Sequence, residues 1–237
     1  MNSISKTRAA FYHLYPGIII TIVFVFLTPA VVHRGYPPQM GALLAIVIAA
    51  LPLFILHLRS ARRRENRTGI LQLNLFTNRL PGWKLAAYVA GLVVLSFAIW
   101  TATEPLNRVI TEKFLGFLPD WFTVQDFAGY SKTVILQTLF VNLLVNGVLA
   151  PLVEEYYFRG YLLARMQTWG RSAFLVNGIL FSLYHFWQPQ IWLTLILAMT
   201  PLAWVTWKTR DLRVAIYTHC LLNLLGALAA FGLATRS

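Results

Sequence analysis

Charged residues are scarce in this chain. Only 12% of its 237 residues are Asp, Glu, Lys or Arg, against about 25% in a typical soluble domain. Hydrophobic residues make up 58% of the chain, and its mean hydropathy is +0.63. This composition excludes an ordinary soluble domain and predicts an integral membrane protein. The single cysteine, Cys220, excludes a disulfide within the chain.

Acidic residues are the rarer charge, with eight Asp and Glu against twenty Lys and Arg and a net charge of +12. The basic residues lie in short loops between apolar runs, which is typical of topology signals and of contact with anionic lipid headgroups rather than with nucleic acid. Fourteen of the twenty fall at the N-terminus or after the second, fourth and sixth runs. We therefore expect a cytoplasmic N-terminus, in a bacterial inner membrane.

Long apolar runs predict an all-α, polytopic membrane bundle, because a spanning helix needs about 20 such residues. The predicted spans are 11–32, 40–58, 85–102, 134–168, 172–187, 190–207 and 213–233. The fourth is longer than one crossing needs. It is either a helix kinked at Pro151 or an amphipathic piece leading into a second helix, so seven transmembrane helices are expected, or eight. We divide the chain into N-terminal helices with an outer interfacial loop (1–130) and a core (131–237).

Two adjacent carboxylates, Glu154 and Glu155, interrupt the fourth span. Each ionised group near the bilayer centre costs roughly 2.5 to 3.5 kcal/mol, so the expected interpretation is a functional site. On a helix Glu155 shares a face with Arg159, whereas Glu154 points about 100° away. Different surroundings can give two neighbouring carboxylates different proton affinities, so that one of them can act as a general base. The alternative is a plain intramembrane ion pair, with Glu154 facing the cytoplasm.

Two further polar insertions interrupt later spans. Phe181 and His185 lie four residues apart, as do His219 and Asn223. A helical hairpin turning near Gly170 would place Glu155 and His185 at equal depth, because each is fifteen residues from that glycine. The alternatives are a packing histidine for the first insertion and an interhelical hydrogen-bonding pair for the second.

The three insertions, in this order, resemble the CPBP family of intramembrane glutamic-type endopeptidases, which includes type II CAAX prenyl proteases and bacteriocin-processing proteins. The resembling motifs are Glu154-Glu155-x-x-x-Arg159, Phe181-x-x-x-His185 and His219-x-x-x-Asn223. The resemblance implies that Glu154 and His185 activate a water molecule and that His219 and Asn223 stabilise the oxyanion. It assigns supporting roles to Glu155, Arg159 and Phe181.

The resemblance leaves the cofactor and the substrate as expectations. The family was formerly classed with metalloproteases, and Glu154, His185 and His219 could form a zinc site, but the chain has no H-E-x-x-H motif and we expect no cofactor. We expect the substrate to be a membrane peptide or a lipid-anchored protein. A prenylated CAAX protein is a less expected substrate, because bacteria seldom make one. The rival functions are a non-catalytic immunity or scaffold factor and a proton-coupled transporter, for which no inverted repeat is visible.

Overall fold

The structure, a computed structural model, describes residues 3–234. Residues 1–2 and 235–237, at the two ends of the chain, lie outside the described range. Within that range the fold is all-α, which confirms the predicted polytopic bundle. Its seven main helices are α1 (Lys6–His33), α2 (Pro38–Arg64), α3 (Gly82–Phe114), α4 (Lys132–Arg165), α5 (Ser172–Leu183), α6 (Trp192–Thr209) and α7 (Leu212–Ala234). Six are long and apolar enough to cross a membrane, counting the 3₁₀ turn before α6, and α5 is the shorter one. The two-part division of the chain stays a prediction.

Helix α4 is one continuous helix of 34 residues, rather than an amphipathic piece followed by a second helix. Two π-helical turns, Val145–Leu149 and Tyr156–Leu162, flank the short α-helical segment that ends at Glu155. The first π turn comes just before Pro151, which has no N–H to continue the α-helical ladder. Helix α2 shows the same pattern, with a π turn at Ile46–Ala50 and Pro52 soon after.

Helix α5 stops well short of its predicted end at residue 187. It ends at Leu183, and the chain continues without helix until the 3₁₀ turn Pro189–Ile191. A proline disfavours helical backbone at the preceding residue, and here the unwinding begins further upstream. His185 therefore lies just beyond the helix, not on it. Irregular backbone at membrane depth is tolerated where protein buries it, and Tyr184 is only 1% exposed.

The turn after α5 is seated directly against the backbone of α1. A Cβ atom placed on Gly17 would lie 1.9 Å from the carbonyl oxygen of Tyr184. Only glycine lets the two segments approach so closely. Helices α5 and α6 approach in the same way, because a Cβ on Gly178 would lie 2.6 Å from the Thr200 hydroxyl. These contacts fix the end of α5 between α1 and α6.

The loop between α2 and α3 folds over the basic end of the bundle, and we call residues 66–81 the cap segment. Its Leu73 and Phe76 side chains are buried. The Leu75 amide donates to the Gly160 carbonyl at 3.3 Å. Arg165, at the end of α4, donates to the Leu73 carbonyl and to both carboxylate oxygens of Glu65. The cap segment therefore holds the basic end of α4 in place.

Candidate active site

The acid pair lies between the two π turns of α4, in the interior of the bundle. Glu155 is fully buried and Glu154 is 6% exposed. Oε1 of Glu155 accepts a hydrogen bond from Arg159 Nη1 at 3.0 Å, the pairing expected from their spacing. The same oxygen lies 2.7 Å from His219 Nδ1. Because a carboxylate oxygen only accepts, Nδ1 of His219 donates in this contact.

The Phe181 ring is the point at which three of the other predicted side chains meet. The Arg159 guanidinium carbon lies 3.8 Å from its centroid, in a cation–π arrangement. The His185 and His219 rings approach it edge to face, with centroids 5.2 and 5.9 Å away. Residues from α4, from the end of α5 and from α7 therefore converge at one place.

Glu154 bonds to a residue that the sequence motifs did not indicate. The Tyr184 hydroxyl donates to Oε1 of Glu154 at 2.7 Å. His185 is joined to this pair through Tyr184, since the two rings are 4.4 Å apart. Its own Nδ1 lies 3.0 Å from the Phe181 carbonyl. Helical spacing places Tyr184 beside Phe181, three residues earlier, but it does not indicate which side chain of α4 the tyrosine contacts.

Asn223 is engaged differently from its neighbour His219. Its Nδ2 donates to the backbone carbonyl of Asn146 at 2.8 Å, within the first π turn of α4. His219 instead contacts Glu155 on the far side of the α-helical segment. The predicted His219–Asn223 pair thus spans the stretch of α4 that carries the acids, with one contact on each side of Glu154.

A second amide, Asn177 of α5, holds α5 in register with α4. Its Nδ2 lies 2.9 Å from both the Phe158 carbonyl and His13 Nε2, and donates to them. Asn177, His13 and Phe158 are all fully buried. Phe158 belongs to the second π turn, so each π turn of α4 offers a carbonyl to an asparagine from another helix. These contacts set the rotation of α5 and α7 relative to the acid pair.

Several buried polar atoms at the centre of the site have no hydrogen-bond partner within the described part of the chain. They are Oε2 of Glu155 and the Nε and Nη2 atoms of Arg159. Buried polar groups in proteins are nearly always hydrogen-bonded, and leaving them unpaired is costly. The site thus has polar capacity to offer a water molecule or a substrate.

The three residues that could form a zinc site, Glu154, His185 and His219, do not form a metal-binding group in the described part of the chain. Across residues 3–234, no three His, Cys, Asp or Glu side chains are placed to hold one metal ion. The carboxylate in contact with His219 is Glu155, whereas Glu154 bonds to Tyr184. The donor set of Glu154, His185 and His219 is therefore divided between two different contacts.

Comparison with protein families gives a match to the model described as type II CAAX prenyl endopeptidase Rce1-like, over residues 136–225. No curated protein and no solved structure matches the chain. The matched range contains all three motifs and runs from α4 into α7, which confirms the resemblance. Residues 136–225 of this multi-pass membrane protein are thus similar to the type II CAAX prenyl endopeptidases described as Rce1-like.

Proposed function

We propose that this protein is a glutamic-type intramembrane endopeptidase that hydrolyses a peptide bond of a membrane-associated substrate. The observation that carries the proposal is the separation of the two acids. Glu155 is held between Arg159 and His219, while Glu154 bonds to the neutral Tyr184 hydroxyl. One carboxylate is thus committed to an ionic cluster, and the other is available for proton transfer.

In this proposal Glu154 is the general base, with His185 beside it. Attack of water on a peptide carbonyl needs a positioned base to take a proton in the transition state, and that contribution is typically 10² to 10⁴-fold. Burial supports the role, because an active site that excludes bulk water strengthens electrostatic interactions.

His219 and Asn223 would stabilise the negative oxygen that develops on the attacked carbonyl. Because Glu155 occupies Nδ1 of His219, Nε2 is the ring nitrogen left to contact the substrate oxygen. Asn223 Nδ2 donates to the Asn146 carbonyl at 2.8 Å and, over a longer 3.5 Å, to the Asn146 side-chain oxygen. In the reaction it would exchange the longer of these contacts for the substrate oxygen. Losing one such donor typically slows a reaction by 10² to 10³-fold.

We propose that the reaction needs no metal, since the nitrogen and oxygen donors are committed to separate contacts. Purified protein treated with a chelator should keep its activity. Loss of activity on chelation, with recovery on adding one equivalent of zinc, would contradict this.

For the substrate we propose a lipid-anchored or membrane-embedded peptide. We also propose that the protein itself lies in a bacterial inner membrane, with its N-terminus in the cytoplasm. The matched family is described as acting on prenylated CAAX proteins, and a prenyl group is one such anchor. Basic residues cluster at the end of α2, among them Arg62, Arg63 and Arg64, and we propose that they contact anionic headgroups.

The test uses full-length protein in liposomes containing an anionic phospholipid, with three quenched fluorescent probes of one peptide sequence. One probe is a farnesylated CAAX peptide, one is acylated, and one carries no lipid. We expect cleavage of a lipidated probe, and a loss of about 10² to 10⁴-fold in Glu154→Gln and His185→Ala. The control is Glu112→Gln, which changes an exposed carboxylate near the end of α3.

Near-wild-type cleavage by Glu154→Gln would overturn the assignment. Proteomics of cells carrying wild-type protein or Glu154→Gln extends the test to the natural substrate, because an uncut membrane peptide should accumulate with the variant. If the variant complements every cellular phenotype and no peptide accumulates, the non-catalytic function is favoured instead.

A further inference from the structure

Tyr184 is the residue outside the three motifs that directly contacts the proposed base. We infer that Tyr184 is a positioning residue of the reaction: its hydroxyl fixes the Glu154 carboxylate toward the water and holds His185 beside it. The inference rests on the proposed function. Nothing in the motif spacing assigns this role to Tyr184, and the contact becomes visible only in three dimensions.

The first step of the argument is the geometry of the carboxylate. Tyr184 donates to Oε1 of Glu154 at 2.7 Å, and both side chains are buried. One oxygen is thereby occupied by a neutral donor, and Oε2 remains to accept a proton. A general base is effective only when held in a defined orientation, and a misplacement of about 1 Å can cost 10²-fold in rate.

The second step is the rigidity of the tyrosine itself. Its ring is surrounded by other aromatic rings, with centroids 5.0 Å away for Phe158, 5.3 Å for Trp187 and 5.7 Å for Phe181. Its backbone carbonyl is seated against Gly17 of α1. The hydroxyl therefore has no room to swing away from Glu154 unless its neighbours move.

The third step is that Tyr184 connects the base with its partner. His185 is the next residue along the chain, and the two rings pack at 4.4 Å. Both lie in the turn that follows α5, in which the Tyr184 amide donates to the Leu180 carbonyl and the His185 amide to the Ser182 carbonyl. The hydrogen bond to Glu154 ties this turn to α4, and so fixes the position of His185 relative to the carboxylate.

A plain packing role is the alternative, and Tyr157 provides the matched control. It is also a fully buried tyrosine, and it lies on α4 close to the acid pair. Its hydroxyl donates to the Tyr12 carbonyl at 2.9 Å. The same hydroxyl lies 3.4 Å from His57 Nδ1. Tyr157→Phe thus removes hydroxyl contacts that do not involve Glu154.

The kinetic test compares Tyr184→Phe and Tyr157→Phe on the farnesylated CAAX peptide in liposomes. We expect Tyr184→Phe to lower kcat by about 10 to 100-fold while KM stays within about 2-fold, because the ring packing is kept and only orientation is lost. Tyr157→Phe should leave both constants near wild type. Equal effects of the two variants, or a kcat within 2-fold for Tyr184→Phe, would overturn the inference.

An infrared measurement tests the contact without depending on turnover. The difference spectrum of wild type minus Tyr184→Phe should contain a carboxyl band. The same difference taken in a Glu154→Gln background should lack that band. A band that persists in that background, or no band in either, would overturn the inference.

The two proposals fail in distinguishable ways. If Glu154→Gln is inactive but Tyr184→Phe is fully active, only the role of Tyr184 is lost. If Glu154→Gln cleaves like wild type, the proposed function and the role of Tyr184 fall together, while the infrared band still reports whether the hydrogen bond exists.

Discussion

Two buried polar clusters in this bundle differ in a way that separates packing from function. The first joins α3 to α6. Asn107 and Thr194 exchange two side-chain hydrogen bonds, of 2.9 and 3.1 Å, and the Thr103 hydroxyl lies 2.7 Å from that of Thr194. All three side chains are neutral. They satisfy one another, as expected for an interhelical contact within a membrane.

The second cluster is Glu155, Arg159 and His219, and it is charged and incompletely paired. Glu155 and Arg159 are fully buried, yet Oε2 of Glu155 and two nitrogens of Arg159 have no partner within residues 3–234. A partly satisfied buried network is unfavourable for stability alone. The difference is the one that the proposed function expects, in which the first cluster holds helices together and the second keeps hydrogen-bonding capacity for water or substrate.

The largest expected effect on stability comes from breaking the charged cluster. Arg159→Met leaves Glu155 as a buried charge with only His219 beside it, so we expect a loss of about 3–5 kcal/mol in the free energy of unfolding. Thermal denaturation in detergent measures it.

A double variant sharpens this result. Replacing both partners, as Glu155→Leu with Arg159→Leu, should restore much of the stability, because apolar side chains often replace a buried ion pair at little cost. Activity should not return. A double variant as unstable as Arg159→Met would contradict the comparison.

A smaller effect is expected from the neutral cluster. Thr194→Val keeps the side-chain volume and removes the hydroxyl shared by Thr103 and Asn107. We expect a loss of about 0.6 kcal/mol, the average measured for polar contacts between membrane helices, and at most about 1.7 kcal/mol. Probe cleavage, measured in the same samples, should remain near wild type. A drop in kcat matching that of Glu154→Gln would show that this cluster also serves the reaction.

The smallest expected effect lies outside the membrane, at the junction of α6 and α7. Burial raises the pKa of Asp211, but hydrogen bonds from Arg213 and from the Leu80 amide outweigh it, and the net pKa lies below its usual value. Because the folded-state pKa is lowered, the contact stabilises the cap segment above the ordinary Asp pKa of about 3.9. It is lost as the pH falls through the lower folded-state value.

A nitroxide label on the cap segment measures this pH dependence. Attached at Arg79→Cys in a Cys220→Ser background, it should become more mobile only below about pH 4. With Asp211→Asn added, the label should already be mobile at neutral pH. A label at the exposed Phe117→Cys is the control. Equal pH responses at the two positions would refute a role for Asp211.

Sequence patterns predicted the parts of this molecule that depend on one helix at a time. Hydropathy located all seven helices, of which six are long and apolar enough to cross a membrane. The Glu155–Arg159 contact follows from the four-residue spacing. The equal depth of Glu155 and His185 was argued from a simple hairpin, and the structure brings both residues to the Phe181 ring, Glu155 through Arg159 and His219.

The parts that the sequence did not predict depend on how helices are rotated against one another. The Tyr184–Glu154 bond joins the end of α5 to α4, and the Asn223–Asn146 bond joins α7 to a π turn in α4. A π turn changes the rotation of everything beyond it, and hydropathy carries no sign of it. The cap segment was missed for a related reason, since its contacts with α4 join positions far apart in the chain.

The π turns of α4 have a consequence for which insertions and deletions the gene can tolerate. Each such turn closes over five residues where an α turn closes over four, so it holds one residue more. Deleting a single residue from Val145–Leu149 would let α4 revert to regular winding while its two halves keep nearly the same rotation relative to one another. The Asn142 contact with Gln39 of α2 should then survive. The same deletion within the regular stretch Lys132–Leu144 would instead turn the residues before it by about 100° relative to the acids. A frame-preserving codon loss should therefore be tolerated in the π turn and not in the regular stretch.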